Sequence, residues 1–274
     1  MINAWRLLDT GFDDGFTNMA MDEAILTAVS RGLVPPTLRF YGWDPPTITL
    51  GYFQKAEEEI DLCAARCLGV QIVRRLTGGR AVLHHRELTY SIIAPADHPN
   101  LKGTVLSSYL RLSQGLLAGY RSLGALVELA KGNPGKGGGS ACFDTPSWYE
   151  LTAQGKKIAG SAQTRKLGAV LQHGSLPFYF DIDFLLSCLK LKDKTIKERL
   201  RNTLSRQAAG INQILNREIG YNELAQALIN GWSETLGWQL HPGTLTAEEL
   251  LWTDSLLEKK YATDEWNLHR RNCS

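Results

Sequence analysis

Across residues 18–31 (NMAMDEAILTAVSR) apolar positions recur every three or four residues with Asn18 placed as a cap, which predicts an amphipathic helix. Two short β-like runs follow at 37–41 and 47–52, joined by Gly-Trp-Asp-Pro-Pro, and they read as a hairpin. Residues 57–68 read as a helix that sets Cys63 and Cys67 four apart on one face, where buried structural thiols are expected. Residues 71–75 and 89–93 read as strands bracketing a Gly-Gly turn, and 107–123 has a 3.6-residue period. Further on, 157–163 and 169–178 read as strands on either side of a polar turn at 164–168. From residue 190 the pattern becomes helical, over 193–206, over 222–236, and after the capping-box spacing of Thr246 and Glu249. Strands and helices intermixed first, helices last, predict an α+β domain with a helical C-terminal part.

Composition adds exclusions. The 274 residues are 43% hydrophobic and 21% charged, with 30 Lys+Arg against 28 Asp+Glu, as in an ordinary globular protein. A net charge of +2 excludes nucleic-acid binding by bulk electrostatics. No apolar run reaches bilayer length, residues 1–10 show no secretory signal, and five cysteines argue against a disulfide framework; a cytoplasmic location is expected. Glycine is in mild excess at 26 residues, and its cluster at 132–139 reads as a mobile loop.

Three constellations carry candidate chemistry. In RRLTGGRAVLHH (74–85) a strand delivers two arginines into a Thr-Gly-Gly turn, where free backbone N–H groups and a guanidinium suit a phosphate or carboxylate; a plain hairpin with surface arginines has the same spacing. Cys142 directly follows the glycine-rich stretch in a polar setting, which distinguishes it from Cys63, Cys67 and Cys188 and suits a reactive thiol. In KKIAGSAQ (156–163) strand alternation sets Lys157, and not Lys156, on one side with Ala159 and Ser161. A lysine there could orient a carbonyl, lower a thiol's pKa, or simply guard a strand edge.

These motifs, with LQHGSL (171–176), NMAMDE (18–23), RFYGW (39–43), LGYFQ (50–54) and KKYATDEWN (259–267), resemble the lipoate-protein ligase A family, whose catalytic domain is shared with biotin protein ligases. ACFDTPSWYE (141–150) and ELTYS (87–91) are most similar to its octanoyltransferase branch. The resemblance implies one catalytic domain over residues 1–274, with mixed, largely antiparallel sheets flanked by helices and a helical part from about 190. It implies transfer of octanoyl from octanoyl-acyl carrier protein to a lysine of the glycine cleavage system H protein, or of another lipoyl domain. Cys142 would be the acyl-carrying nucleophile and Lys157 its partner. Arg75, Thr77, Gly78, Gly79, His84, Ala159, Gly160, Ser161 and His173 would bind the acyl group and substrate. His85 stands where Asp is expected; Arg80 stands where the ATP-using ligases usually have Gly, which favours a transferase.

Thioester exchange followed by amide formation runs downhill, so neither ATP nor a metal is expected, and neither nucleic acid nor a membrane is an expected partner. Both protein substrates belong to acidic families, and Lys190, Lys194 and Lys197 lie in a basic stretch that would dock them or form a solvated helix face. The rival activities are an ATP-dependent lipoate-protein ligase, an octanoyl amidotransferase between lipoyl domains, and a non-catalytic acyl-binding protein.

Overall fold

The computed structural model describes residues 3–131 and 149–270. β1 (Ala4–Asp13) leads through α1 (Gly15–Ser30) into β2 (Thr37–Trp43), which lies parallel to β1. The cap of α1 is Asp14 and not Asn18: its carboxylate accepts from the N–H groups of Phe16 and Thr17. Only the residue just outside the first turn can reach those groups, and Asn18 sits a turn too far along.

The expected hairpin over 37–52 does not form. β2 lies between β1 and β6 (Glu87–Pro95), whereas β3 (Thr47–Leu50) joins a different sheet. Pro45 and Pro46 have no N–H to donate to a ladder, and Asp44 N–H stays with Asp13 of β1. The helix expected over 57–68 is two helices, α2 (Ala56–Glu59) and α3 (Leu62–Cys67), with Asp61 capping the second. α3 turns Ala65 inward, so Cys63 and Cys67 are exposed, contrary to the expected burial. Cys188 is buried, and burial pushes its thiol up to about 11.

β3 is the centre of a small sheet, parallel to β4 (Gln71–Arg74) and antiparallel to β5 (Val82–His84). α4 (Val105–Ser122) precedes a third sheet of β7 (Val127–Lys131), β8 (Tyr149–Ala153) and the short β9 (Lys156–Lys157). β10 (Gly160–Lys166) and β11 (Ala169–Pro177) form a hairpin closed by Leu167 and Gly168, both at positive φ. The strand expected over 157–163 is thus split at Ile158 and Ala159 between two sheets. α5 (Ile182–Cys188), α6 (Lys194–Gln207), α7 (Ile211–Leu215) and α8 (Tyr221–Leu236) follow. β12 (Gln239–Pro242) interrupts the expected helical run and pairs parallel to β1, giving a six-stranded order β10-β11-β6-β2-β1-β12. α9 (Ala247–Leu256) starts at the expected capping box, Thr246 with Glu249, and leads through a π-helical turn (Leu257–Tyr261) to α10 (Asp264–Asn267). Six of the nine strand pairings among the described residues are antiparallel, an α+β architecture of mixed sheets flanked by helices, as expected.

Alternation along β6 shows how the large sheet is covered on both faces. Leu88, Tyr90, Ile92 and Ala94 join the core shared with α4 and α8, where Trp5, Trp232 and Trp238 are buried. Ile93 packs with Ile25, Leu26 and Val29 of α1, and Ser91 donates to Asp22 of the same helix. No helix among the described residues is long and apolar enough to cross a membrane.

Candidate functional site

The α1 face of the large sheet looks across at the small sheet, and a cavity lies between them. β11 delivers His173 and Ser175 to it, β6 delivers Thr89, and β2 delivers Tyr41 and Trp43. The small sheet supplies Thr49, Val82 and His84, and Met19 of α1 closes one side. Gly79 lines the cavity from a turn packed against the neighbouring loop at Gly51. Gly79 has φ of +98°, and a Cβ on Gly51 would stand 2.0 Å from the Gly79 carbonyl oxygen, so the two loops touch backbone to backbone.

Arg75 organises the wall. Its guanidinium donates to Thr77 Oγ1 (3.1 Å), Thr49 Oγ1 (3.0 Å) and the carbonyls of Thr49, Gly78 and Arg80. Thr77 Oγ1 lies 2.7 Å from His173 Nε2, and Thr49 Oγ1 lies 2.9 Å from His84 Nε2. The other ring nitrogens meet carboxylates: His173 Nδ1 lies 3.4 Å from Asp22 and His84 Nδ1 lies 2.7 Å from Glu87. Asp22 also accepts from Arg39 (2.8 Å), Ser91 (2.9 Å) and Tyr41 (3.1 Å). Burial alone would raise the Asp22 carboxyl, but its bonds to His173 and Ser91 and the charge of Arg39 hold it below its usual value. Burial holds the His173 imidazole below its usual value, against the pull of Asp22. Trp43 stacks on His84 with centroids 4.1 Å apart, and its Nε1–H donates to Thr89. The polar atoms of this wall are turned on one another.

Of the residues expected at the site, Arg75, Gly79, His84, Gly160, Ser161 and His173 line the cavity. Thr77 reaches it through His173, and the Gly78 carbonyl anchors Arg75. Ala159 is buried beside Gly160 without lining the cavity. Cys142 lies outside the described residues, as does the glycine cluster at 132–139. Lys157 is only 6% exposed, and its ammonium donates to Glu150 at 2.9 Å. Lys157 stands on β9, one sheet away from Ser161 on β10, so strand alternation does not relate the two. The Lys157 carbonyl accepts from Ala209 N–H, which ties the end of α6 to this segment. On that helix Lys194 is exposed and Lys197 half-buried, while Lys190 Nζ donates to the Glu57 carbonyl before the helix begins.

Sequence reasoning missed Thr49, Trp43, Glu87 and Ser175. Ser175 was within reach, since it follows His173 by two on one strand. Thr49 and Glu87 acquire a role only once the small sheet faces the large one. Among the described residues no group of His, Cys, Asp and Glu could hold a metal ion.

Residues 14–233 match the family model of the lipoyl protein ligase A/B catalytic domain. The chain is 48% identical to the octanoyltransferase LipM of Moorella thermoacetica, over 97% of this chain and 98% of that one. Its structure is similar to a crystal structure of lipoate-protein ligase A bound with ATP, at a TM-score of 0.81 and 30% identity, covering 99% of this chain and 100% of that one. It is also similar to a bipartite lipoate protein ligase from Thermoplasma acidophilum, described with its E2 lipoyl domain, at a TM-score of 0.81 and 28% identity over 98% and 97% of the two chains.

Proposed function

Because the chain belongs to the lipoyl protein ligase A/B catalytic domain family, we propose that it is an octanoyltransferase of protein lipoylation that works through a cysteine acyl-enzyme. The observation that carries this reading is its 48% identity, along nearly the whole length of both chains, to a relative named for that activity. The cavity fits: its polar groups are bound to one another, which leaves ring faces, Met19, Val82 and glycine backbone for an aliphatic chain. Burying about six methylenes at roughly 0.8 kcal/mol each supplies on the order of 5 kcal/mol.

The donor is octanoyl-acyl carrier protein. Cys142 attacks the thioester carbonyl as a thiolate; the new S–C bond forms, the carrier's S–C bond breaks, and the carrier leaves as its thiol. The acceptor is the lysine of a lipoyl domain such as the glycine cleavage system H protein. Its amine attacks the acyl-enzyme, an amide forms, and Cys142 is released. The Lys157 ammonium favours the thiolate and the developing oxyanion, and Glu150 fixes where that ammonium sits. Exchange between thioesters is nearly isoenergetic and amide formation is downhill, so the cycle runs without nucleotide or metal. Donor and acceptor are both cytoplasmic proteins, and the enzyme acts there.

Intact-mass spectrometry after mixing with octanoyl-acyl carrier protein tests the scheme. The expected result is one added octanoyl mass, removed by hydroxylamine and absent in Cys142→Ser. An unmodified wild-type mass, or lipoylation from free lipoate and ATP that survives Cys142→Ala, would overturn it and favour the ligase reading.

A further inference from the structure

His84 and His173 stand on either side of Arg75 in matching environments. Each presents Nε2 to a threonine hydroxyl that also receives a bond from Arg75, and each presents Nδ1 to a carboxylate. The protons along this chain can be counted. A guanidinium only donates, so Thr49 Oγ1 and Thr77 Oγ1 both accept from Arg75. Each hydroxyl keeps one proton to give and one further lone pair, so its ring nitrogen is either bare and accepts that proton or protonated and donates, and the far ends of the rings decide which. At the other end Glu87 accepts from Thr89, whose own oxygen takes the Trp43 N–H, and from Ser175. Asp22 accepts from Arg39, Ser91 and Tyr41. Carboxylates so surrounded are acceptors, which assigns the ring proton to Nδ1 in both histidines.

Charge balance agrees. Arg39 and Arg75 are matched by Asp22 and Glu87, all four buried. Neutral rings preserve that balance, whereas an imidazolium would add a buried positive charge for which the described residues of this wall hold no further carboxylate. The Thr49 and Thr77 hydroxyls would also lose their acceptors.

We infer that Asp22 and Glu87 at Nδ1, and Arg75 acting through Thr49 and Thr77 at Nε2, hold both cavity-lining histidines as neutral Nδ1–H tautomers, and that this makes a wall of arginine and histidine select an aliphatic acyl chain over a polar one. The selection of an acyl chain rests on the octanoyltransferase reading; the tautomers do not. Thr49 and Thr77 are on this account positioning residues, with no contact to the reacting atoms.

Long-range 15N–1H correlation spectra of the full chain, labelled in histidine, read the tautomers directly at neutral pH. Signals are assigned by their loss in His84→Asn and His173→Asn. The expected spectrum has a bare Nε2 and a protonated Nδ1 for both rings; an Nε2–H or doubly protonated ring at either position overturns the assignment. Thr49→Val removes the hydrogen bond at His84 Nε2 alone, so the His84 Nε2 signal should shift, with Nδ1 still protonated against Glu87, while the His173 signals stay. Movement of both or of neither contradicts the clamp, and the wild-type spectrum remains decisive if the variant does not fold. Transfer of octanoyl is then compared with transfer of a chain-hydroxylated octanoyl thioester. The wild type should prefer octanoyl by about a hundredfold, the order an apolar pocket achieves against an added hydroxyl, and Thr49→Val should lose most of that preference. An unchanged preference despite a shifted His84 Nε2 signal refutes the selectivity role. Correct tautomers in a protein that transfers neither chain refute the functional reading instead.

Discussion

Asp22 gathers four donors around one carboxylate, from Arg39, Ser91, Tyr41 and His173, and it is 1% exposed. Replacing it with alanine leaves the Arg39 guanidinium buried without its carboxylate, a loss that costs about 3–5 kcal/mol. Urea unfolding of Asp22→Ala should show a correspondingly lower midpoint, and a change under about 1 kcal/mol would mean that the pair is not buried as described. In the sequence Asp22 is simply one acid on a helix face, because periodicity names faces and cannot name partners on another element. Arg75 shows the same limit. Beside a Gly-Gly turn it reads as a seat for an anion, yet its guanidinium donates to Thr49, Thr77, Gly78 and Arg80 among the described residues. Arg74, next to it, is spent on the carbonyls of Gly51, Tyr52, Gln54, Trp266 and Asn267, and burial brings it down to about 10. His84 and His173 could be singled out because the motifs around them resemble a known family; their carboxylate and hydroxyl partners depend on the fold.

Helices α4 and α8 cross at glycines. A Cβ on Gly115 would stand 1.9 Å from Cδ1 of Trp232, and one on Gly231 would stand 2.3 Å from the Gly115 carbonyl oxygen. Gly115→Ala must therefore push the helices apart or turn the indole, which breaks the Trp232 bond to the Leu112 carbonyl. Overpacking of this kind costs about 1–3 kcal/mol; a lower urea midpoint with altered tryptophan fluorescence is expected. α4 was legible from its 3.6 period and α8 as part of the helical run after residue 190, and each has one wet face and one dry face. The 37–52 hairpin was misread because two adjacent strand patterns look the same whether they pair with each other or part into separate sheets. α6 was legible too, as a helical run over 193–206 in a basic stretch, and Asp193 caps it. Charge reversal at Lys194 and Lys197 should lower the rate of transfer from octanoyl-acyl carrier protein at low salt and leave transfer from a small octanoyl thioester unaltered. At physiological ionic strength, where the Debye length is about 8 Å, the defect should shrink. No defect at low salt would remove α6 from the docking surface.

The buried ionisable groups make the stability of the whole molecule depend on pH in two stages. His173, which faces Asp22, Arg75 and His84, has a folded pKa below the unfolded value of about 6.5. As pH falls below that value the unfolded chain takes up a proton that the folded ring refuses, so stability drops on the acid side of neutrality. Asp22, Glu23 and Glu249 are depressed as well: burial opposes this in each, and Arg39 with His173, Lys260 with Tyr261, and Arg6 with Thr246 outweigh it. Their contribution is fully present above the unfolded carboxylate values near 4 and is lost as pH falls through the folded ones. Glu249 and Glu23 fasten α9 and the π-helical turn to the strand and helix that open the chain, through Arg6 and through Lys260 with Tyr261. Acid therefore releases the far end of the chain as well as the cavity wall. Thermal melts should show a first decline between about pH 6.5 and 5 and a steeper one below about 4. His173→Gln should flatten the first and keep the second. A melting temperature that is level from neutral pH to about pH 5 in the wild type would mean that His173 titrates alike in both states.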